Sequence, residues 1–370
     1  MDVYDRLNVP RIINGNATLT VLGGSIIPPE VAAAMADAGR YFVDMDELQE
    51  KAGQRLAQLT RNEAAYVSNG AATGLTLAAA ACMAGTDPDK REQLPNTTGM
   101  KNQVIVHKAG RVQYDFAIRQ AGAKLVEIGE DHGTSPDDLK RAINADTAAI
   151  FYFHIPTRMD VQLPMQQAVD IARQHDLPLI VDAAAQLPPM ENLWRFTEMG
   201  ADLALFSGGK GLCGPQASGL VLGRKDLIRA CAFHASPRPF LGRPMKVGKE
   251  EIVGLLAAVE RYVQLDHDQI MQDYEDQVQY VIDACSAPPR LTARRDFPSE
   301  AGQPMPRAEV ILDPDHVDLS RDDVLNQLRR GDPAISLAPA GPRSIYVNPQ
   351  SLEPGEARII VDRIKQIVGA

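Results

Sequence analysis

The chain has 370 residues, 45% hydrophobic and 23% charged, the balance of a soluble globular protein long enough for two domains of ~100–200 residues each. A formal charge of −10 argues against a dedicated nucleic-acid binder, which presents a basic face, but leaves room for local basic pockets that take anions. The four cysteines (Cys82, Cys213, Cys231, Cys285) lack metal-ligand spacing, the N-terminus lacks a signal pattern, and the apolar stretch at 71–84 falls short of the ~20 residues that cross a bilayer, so a cytoplasmic protein with no membrane partner is expected.

Residues 1–28 read as irregular, with Asn14-Gly15-Asn16 and Gly23-Gly24. Pro28-Pro29 opens a helix through Met35, and a second helix is predicted over 45–59 with Leu48, Leu56 and Leu59 on one side. A short strand at 64–67 runs into Ser68-Asn-Gly-Ala-Ala-Thr-Gly74 and an alanine-rich helix, and 86–102 is polar and reads as a loop. Strands at 104–106, 124–128, 148–153 and 179–181 then alternate with helices at 114–120, 136–143 and 165–175, and two more strands follow at 203–206 and 219–222. Residues 249–265 read as one long helix. Beyond it the pattern weakens to strands near 290–297, 309–313, 334–337 and 345–347 and helices near 322–329 and 356–368. Apolar strands alternating with amphipathic helices predict an α/β fold: a large domain with a mostly parallel central sheet, and a smaller C-terminal α/β domain. The expected boundaries are an N-terminal segment at 1–28 that contributes to the active site, a large domain at 29–265 and a small one at 266–370.

Ligands of such a sheet sit beyond the carboxyl ends of its strands, and three features fall there. The 68–73 turn leaves a strand and opens a helix, so its N–H groups suit a phosphate, with Gly70 allowing close approach. Asp182 ends an apolar strand, where a carboxylate is costly without a cation. Lys210 closes Ser207-Gly-Gly-Lys210 after another strand; the glycines free the backbone to turn the amine into the cleft, and Ser207 can hydrogen-bond a phosphate. Neither a Walker loop nor a G-x-G-x-x-G fingerprint is present: Gly211 follows the lysine where Ser or Thr belongs, and residues 70–74 read G-A-A-T-G. An anion cradle, a carboxylate and an amine in this order supply what pyridoxal 5′-phosphate (PLP) requires, namely a phosphate site, a partner that keeps the ring nitrogen protonated, and a Schiff-base lysine.

Read together, Ser68–Gly74, Val181-Asp-Ala-Ala-Ala-Gln186 and residues 207–219 resemble the fold-type I PLP-dependent transferase fold. Gly214-Pro-Gln-Ala-Ser-Gly219, Arg243-Pro-Met-Lys-Val-Gly-Lys-Glu250 and Asn348-Pro-Gln-Ser-Leu352 resemble its selenocysteine-synthase-like group, and within it the glucosaminate-phosphate ammonia-lyases, over nearly the whole chain. The resemblance implies Lys210 as the Schiff-base lysine and Asp182 as the ring-nitrogen partner. It puts Asn69, Gly70, Ala71, Ala72 and Ser207 at the cofactor phosphate, and Arg243 and Lys246 at the substrate or an anion. It also implies a homodimer or higher even homo-oligomer in which two chains complete each site. His107, Tyr114 and His154 are further candidates against the cofactor, and Arg343 is a candidate clamp for the substrate carboxylate. Selenocysteine synthase carries an extra N-terminal tRNA domain; this chain starts almost directly at Asn14, so no nucleic-acid partner is expected. Residues 106–114 and 154–158 differ from the ammonia-lyases and are expected to line the substrate side.

The implied reaction is a lyase step on a small amino acid or amino-sugar acid, anionic or phosphorylated. The α-proton is removed, a β-group is eliminated, and a keto acid and ammonia are left. Racemisation, aldol cleavage and transamination remain open alternatives with the same cofactor, as does a non-catalytic PLP-binding protein.

Overall fold

A computed structural model of the chain describes residues 2–286 and 289–370. Twelve strands form among the described residues: β1 Ile12–Gly15, β2 Ala64–Ser68, β3 Gln103–His107, β4 Lys124–Ile128, β5 Thr147–Phe153, β6 Leu179–Asp182, β7 Leu203–Ser207, β8 Gly219–Gly223, β9 Leu291–Asp296, β10 Arg307–Leu312, β11 Ala334–Pro339 and β12 Ser344–Val347. They fall into two compact units, one of residues 27–265, the other of the residues up to 26 together with 266–370.

The larger unit is built on a seven-stranded sheet in the order β2-β8-β7-β6-β5-β3-β4. β8 lies antiparallel to both β2 and β7, and the neighbouring pairs from β7 to β4 are parallel. The fold is α/β with a mostly parallel sheet, as the alternating pattern predicts. All seven residues of β5 are buried, the signature of a strand covered on both faces. Side chains alternate between those faces. One face carries Val104, Val106, Phe151, Phe153, Ile180, Leu205 and Val221 under the helix Gly70–Ala84. The other carries Ile105, Ile150, Tyr152, Val181 and Phe206, packed with Leu56, Val169, Phe196 and Leu255.

That alternation decides where the sheet's last residues point. Ser68, Asp182 and Ser207 share the phase of Tyr66, Ile180 and Leu205 and belong to the face of the 70–84 helix, whereas His107 shares the phase of Ile105 and belongs to the opposite one.

β2 is an edge strand, and the helix Met45–Leu59 closes it. The Gln49 side-chain amide donates to the Val67 carbonyl at 2.8 Å and its oxygen accepts from the Val67 N–H at 3.3 Å, the two bonds a neighbouring strand would make. One turn on, Gly53 lies so close that a Cβ there would stand 2.4 Å from the Ala65 carbonyl oxygen.

The smaller unit has a five-stranded sheet in the order β1-β11-β12-β10-β9. Val278, Val281, Leu328, Ile360 and Ile364 from three helices meet Val310, Ile335 and Ile345 from the sheet in one core.

The elements depart from the sequence reading at several points. The segment 1–28 is not wholly irregular: Val3–Leu7 is a capped helical turn, and β1 pairs in parallel with β11, Ile12 against Ala334 through Gly15 against Leu337. A helix at Pro88–Gln93 interrupts the expected loop, with Asp87 as its N-cap. Helices at Asn192–Glu198, Lys225–His234 and His267–Cys285 were not predicted. The helix from Lys249 stops at Tyr262, because Asp266 caps a new helix a few residues on.

Candidate active site

The carboxyl edge of the large sheet gathers the chemistry. Register sets Ser207 opposite Gly219 and Gly219 opposite Ser68, with Asp182 beside Leu205 on β7 and Phe153 on β5. β6 runs out at Asp182, whose carboxylate accepts the Ala184 N–H at 3.0 Å. Burial pushes the Asp182 carboxyl above its ordinary value, while the Ala184 N–H and the positive charge of Lys210 pull the other way. The turn that carries Lys210 follows β7, the strand paired with Asp182's own, so the two groups are in electrostatic reach of each other. A buried carboxylate under this pressure needs a cation, and a protonated ring nitrogen is one.

Lys210 sits part-buried in the turn after β7, which the Cys213 N–H closes onto the Lys210 carbonyl at 2.9 Å. The glycines before it serve packing more than freedom. A Cβ on Gly208 would lie 2.0 Å from Ser218 Oγ, and one on Gly209 would lie 2.6 Å from Gln216 Oε1, so the turn runs tight against residues 216–218.

The expected anion cradle falls at the start of the 70–84 helix. Gly70 takes φ +78°, a backbone that side chains disfavour. Asn69 holds the N-cap position without a side-chain cap, so the first-turn N–H groups of residues 70–72 are not occupied from that side. Behind the turn, a Cβ on Gly219 would stand 2.4 Å from the Gly70 carbonyl carbon and 2.7 Å from Ala71 N. Ser68 Oγ donates to the Gly70 carbonyl at 2.9 Å and fixes the turn from below. Uncapped donors, a buried acid seeking a cation and a nearby lysine fit PLP. Lys210 would carry it, Asp182 would hold its ring nitrogen, and residues 70–72 with Ser207 would hold its phosphate.

Other expected residues go elsewhere. Asn69 turns its amide away from the cradle and donates to the Lys246 carbonyl at 2.9 Å. His107 is buried edge-on against Tyr152, ring centroids 5.1 Å apart, and His154 lies 4.9 Å from Phe196. Both rings are on the face opposite Asp182, because each is one residue out of phase with it. Burial holds each imidazole down at about 4, with the Arg195 charge adding to the effect at His154. They are neutral at physiological pH, and both ring nitrogens of His107 and Nδ1 of His154 are buried without a hydrogen-bond partner among the described residues. Tyr114 stands 67% exposed in the turn Gln113–Asp115.

Within the basic run, Arg238 forms a paired bridge to Asp46 with both contacts at 3.0 Å, and Lys249 pairs with Glu250. Arg243 and Lys246 are exposed and meet no acid among the described residues, so their charge is left for an anion. Arg343, in the smaller unit, donates to the carbonyls of Leu319 at 3.1 Å, Val317 at 2.5 Å and Asp313 at 3.4 Å. Its two terminal nitrogens thus hold its own loops, while its Nε is buried without a partner among the described residues.

Sequence reasoning missed Ser68, Gly219 and Ala184. Only register and close approach give them roles, although the Gly219 that ends the 214–219 motif was a signal.

The fold and this edge are those of the fold-type I enzymes that depend on pyridoxal 5′-phosphate, and the chain is an enzyme of that class. Residues 12–273 match the family described as SelA, L-seryl-tRNA selenium transferase, and the chain belongs to that family. It is 34% identical to the D-glucosaminate-6-phosphate ammonia lyase of Salmonella typhimurium (strain 14028s / SGSC 2262), over 99% of this chain and 98% of that protein. It is 33% identical to the 5′-C-glycyluridine monooxygenase-decarboxylase of a Streptomyces species, over 99% of this chain and 92% of that one. A solved structure of D-glucosaminate-6-phosphate ammonia-lyase superposes with a TM-score of 0.90 at 33% identity, covering 100% of this chain and 98% of that one. No helix among the described residues is long and apolar enough to cross a membrane.

Proposed function

We propose that the chain is a PLP-dependent lyase acting on an amino acid or amino-sugar acid that carries a second anionic group. PLP, when bound, supplies an electron sink for the charge left at the substrate α-carbon. Lys210 provides the amine that takes the α-proton, since it stands in the turn after β7, the strand paired with the one that ends at Asp182. Asp182, buried and pushed toward protonation when alone, keeps the ring nitrogen's proton in place by pairing with it. The N–H groups of residues 70–72 and Ser207 fix the phosphate, and Arg243 and Lys246 hold the acidic tail of the substrate. With the α-proton gone, a β-group leaves, and hydrolysis yields a keto acid and ammonia. Two copies of the chain are proposed to complete each site.

The observation that carries the reading is the gathering at one sheet edge of the buried Asp182 at the end of β6, the Lys210 turn after the neighbouring β7, and the uncapped start of the 70–84 helix. Full-length similarity to an ammonia lyase supports elimination as the outcome. Similar kinship to a decarboxylase favours a second reading, in which the bond from the α-carbon to the carboxylate breaks instead. Incubating the PLP-loaded protein with phosphorylated amino-sugar acids, hydroxy amino acids and simple α-amino acids separates the two. Ammonia with a keto acid is expected. Release of carbon dioxide, or loss of α-chirality alone, would overturn the elimination.

A further inference from the structure

The residue before the phosphate cradle is an asparagine in an N-cap position that does not cap. An N-cap asparagine ordinarily turns its side-chain oxygen to the N–H two or three residues on. Here the side-chain nitrogen instead donates across 177 positions of sequence to the Lys246 carbonyl, at 2.9 Å. Two consequences follow. The first-turn N–H groups are left for a ligand, and the basic turn is tied to the place where that ligand sits. On its other side the turn is held where Gly242 N–H meets the His234 carbonyl at 3.1 Å, and beyond it the helix Lys249–Tyr262 begins. Between those anchors lie the 3₁₀ turn Arg243–Met245 and Lys246, with two cations that no described acid neutralises.

We propose that Asn69 is a positioning residue for substrate: its amide docks the 243–246 turn on the start of the 70–84 helix and so sets the distance between the anion held by Arg243 and Lys246 and the cofactor held by the helix. The substrate class this selects is an amino acid with a phosphate or similar dianion at a fixed reach from its α-carbon. The inference rests on the lyase reading for what is turned over, but not for the anion site itself.

The test uses the PLP-loaded protein and the variants Asn69→Ala and Asn69→Asp. Inorganic phosphate binding is measured by calorimetry, cofactor occupancy by visible absorbance, and KM and kcat with a phosphorylated substrate and its dephosphorylated counterpart. A neutral hydrogen bond of this kind is worth about 1 kcal/mol, so Asn69→Ala should weaken phosphate binding and raise KM for the phosphorylated substrate by roughly 5-fold. The kcat, the cofactor occupancy and the KM of the dephosphorylated substrate should hold. Asn69→Asp, which cannot donate to a carbonyl and adds a negative charge at the cradle, should do the same and also lower cofactor occupancy. Unchanged phosphate binding in Asn69→Ala would overturn the proposal. So would a parallel loss of cofactor in that variant, which would make Asn69 a cofactor ligand. Should Asn69→Ala lose its native circular dichroism, Asn69→Ser, too short to reach Lys246, carries the same comparison. A wild-type protein that binds phosphate more tightly than Asn69→Ala yet eliminates nothing would sink the lyase reading and leave this one standing.

Discussion

Gly219→Ala tests the cradle without removing a polar group. Gly219 lies in β8 with an ordinary strand φ, so alanine costs nothing in backbone conformation. The cost is space: the new methyl would stand 2.4 Å from the Gly70 carbonyl carbon, 2.6 Å from its oxygen and 2.7 Å from Ala71 N. Carbon contacts settle at ~3.5 Å or more, so this backbone must retreat by about 1 Å. An N–H that moves 1 Å leaves the ~2.7–3.2 Å range in which it bonds a phosphate oxygen. A bond to a charged group is worth ~1.5–3 kcal/mol, which converts to a roughly 10- to 150-fold weaker Kd for PLP. Overpacking should also cost about 1–3 kcal/mol of stability. The assay is titration of the apoprotein with PLP followed at the visible band, beside urea unfolding of the same sample. If Gly219→Ala binds PLP as tightly as wild type, the phosphate does not sit on this turn and the assignment of residues 70–72 fails.

Other expectations concern single groups. Lys210→Ala should abolish the visible absorbance of bound cofactor and all turnover; a variant that keeps both removes Lys210 from the chemistry. Asp182→Asn keeps the shape but not the charge, and kcat should drop on the order of 10²-fold with PLP still bound, as measured by steady-state kinetics. Arg343→Ala should leave kcat/KM intact while destabilising the smaller unit by about 2–4 kcal/mol, since three carbonyls lose their donor; a rise in KM with unchanged stability would restore the clamp. His107 is held at about 4 in the folded protein, below its ordinary 6.5, so the unfolded chain takes its proton first. Its contribution is fully present above pH 6.5 and is lost as pH falls toward 4, by roughly 3 kcal/mol at most. Urea midpoints of His107→Phe should therefore fall less steeply across that window than those of wild type, and equal slopes would contradict the burial argument.

What the sequence made legible was local. The strand–turn–helix at 64–84, the acid at the end of β6 and the lysine after β7 each occupy a few consecutive residues whose pattern states their role. What stayed hidden depends on distant partners. β1 reads as a turn because Asn14-Gly15 follows two isoleucines, and only β11, more than three hundred positions later, makes it a strand. The helix His267–Cys285 buries only Val278, Val281 and Cys285, a stripe too narrow to stand out among its aspartates and glutamines. Arg343 looked available because the carbonyls it serves lie at 313, 317 and 319. The two histidines raise a different point. His107 ends β3 and His154 follows β5, but a one-residue difference in phase from Asp182 sends a side chain to the other side of the sheet. The alternation of the neighbouring isoleucines and phenylalanines already contained that answer.

The side chain of Gln49 has a consequence beyond its two bonds. A sheet margin with bare amides invites any extended segment, from this chain or another, to zip onto it. By posing as a strand one residue long, the glutamine gives Val67 what it would otherwise seek from a stranger, and the crowding at Gly53 leaves no lane along Ala65. The strand so guarded is the one whose next residues are proposed to cradle the phosphate. A polymerising margin would drag that turn out of shape, so one amide defends solubility and cofactor grip together.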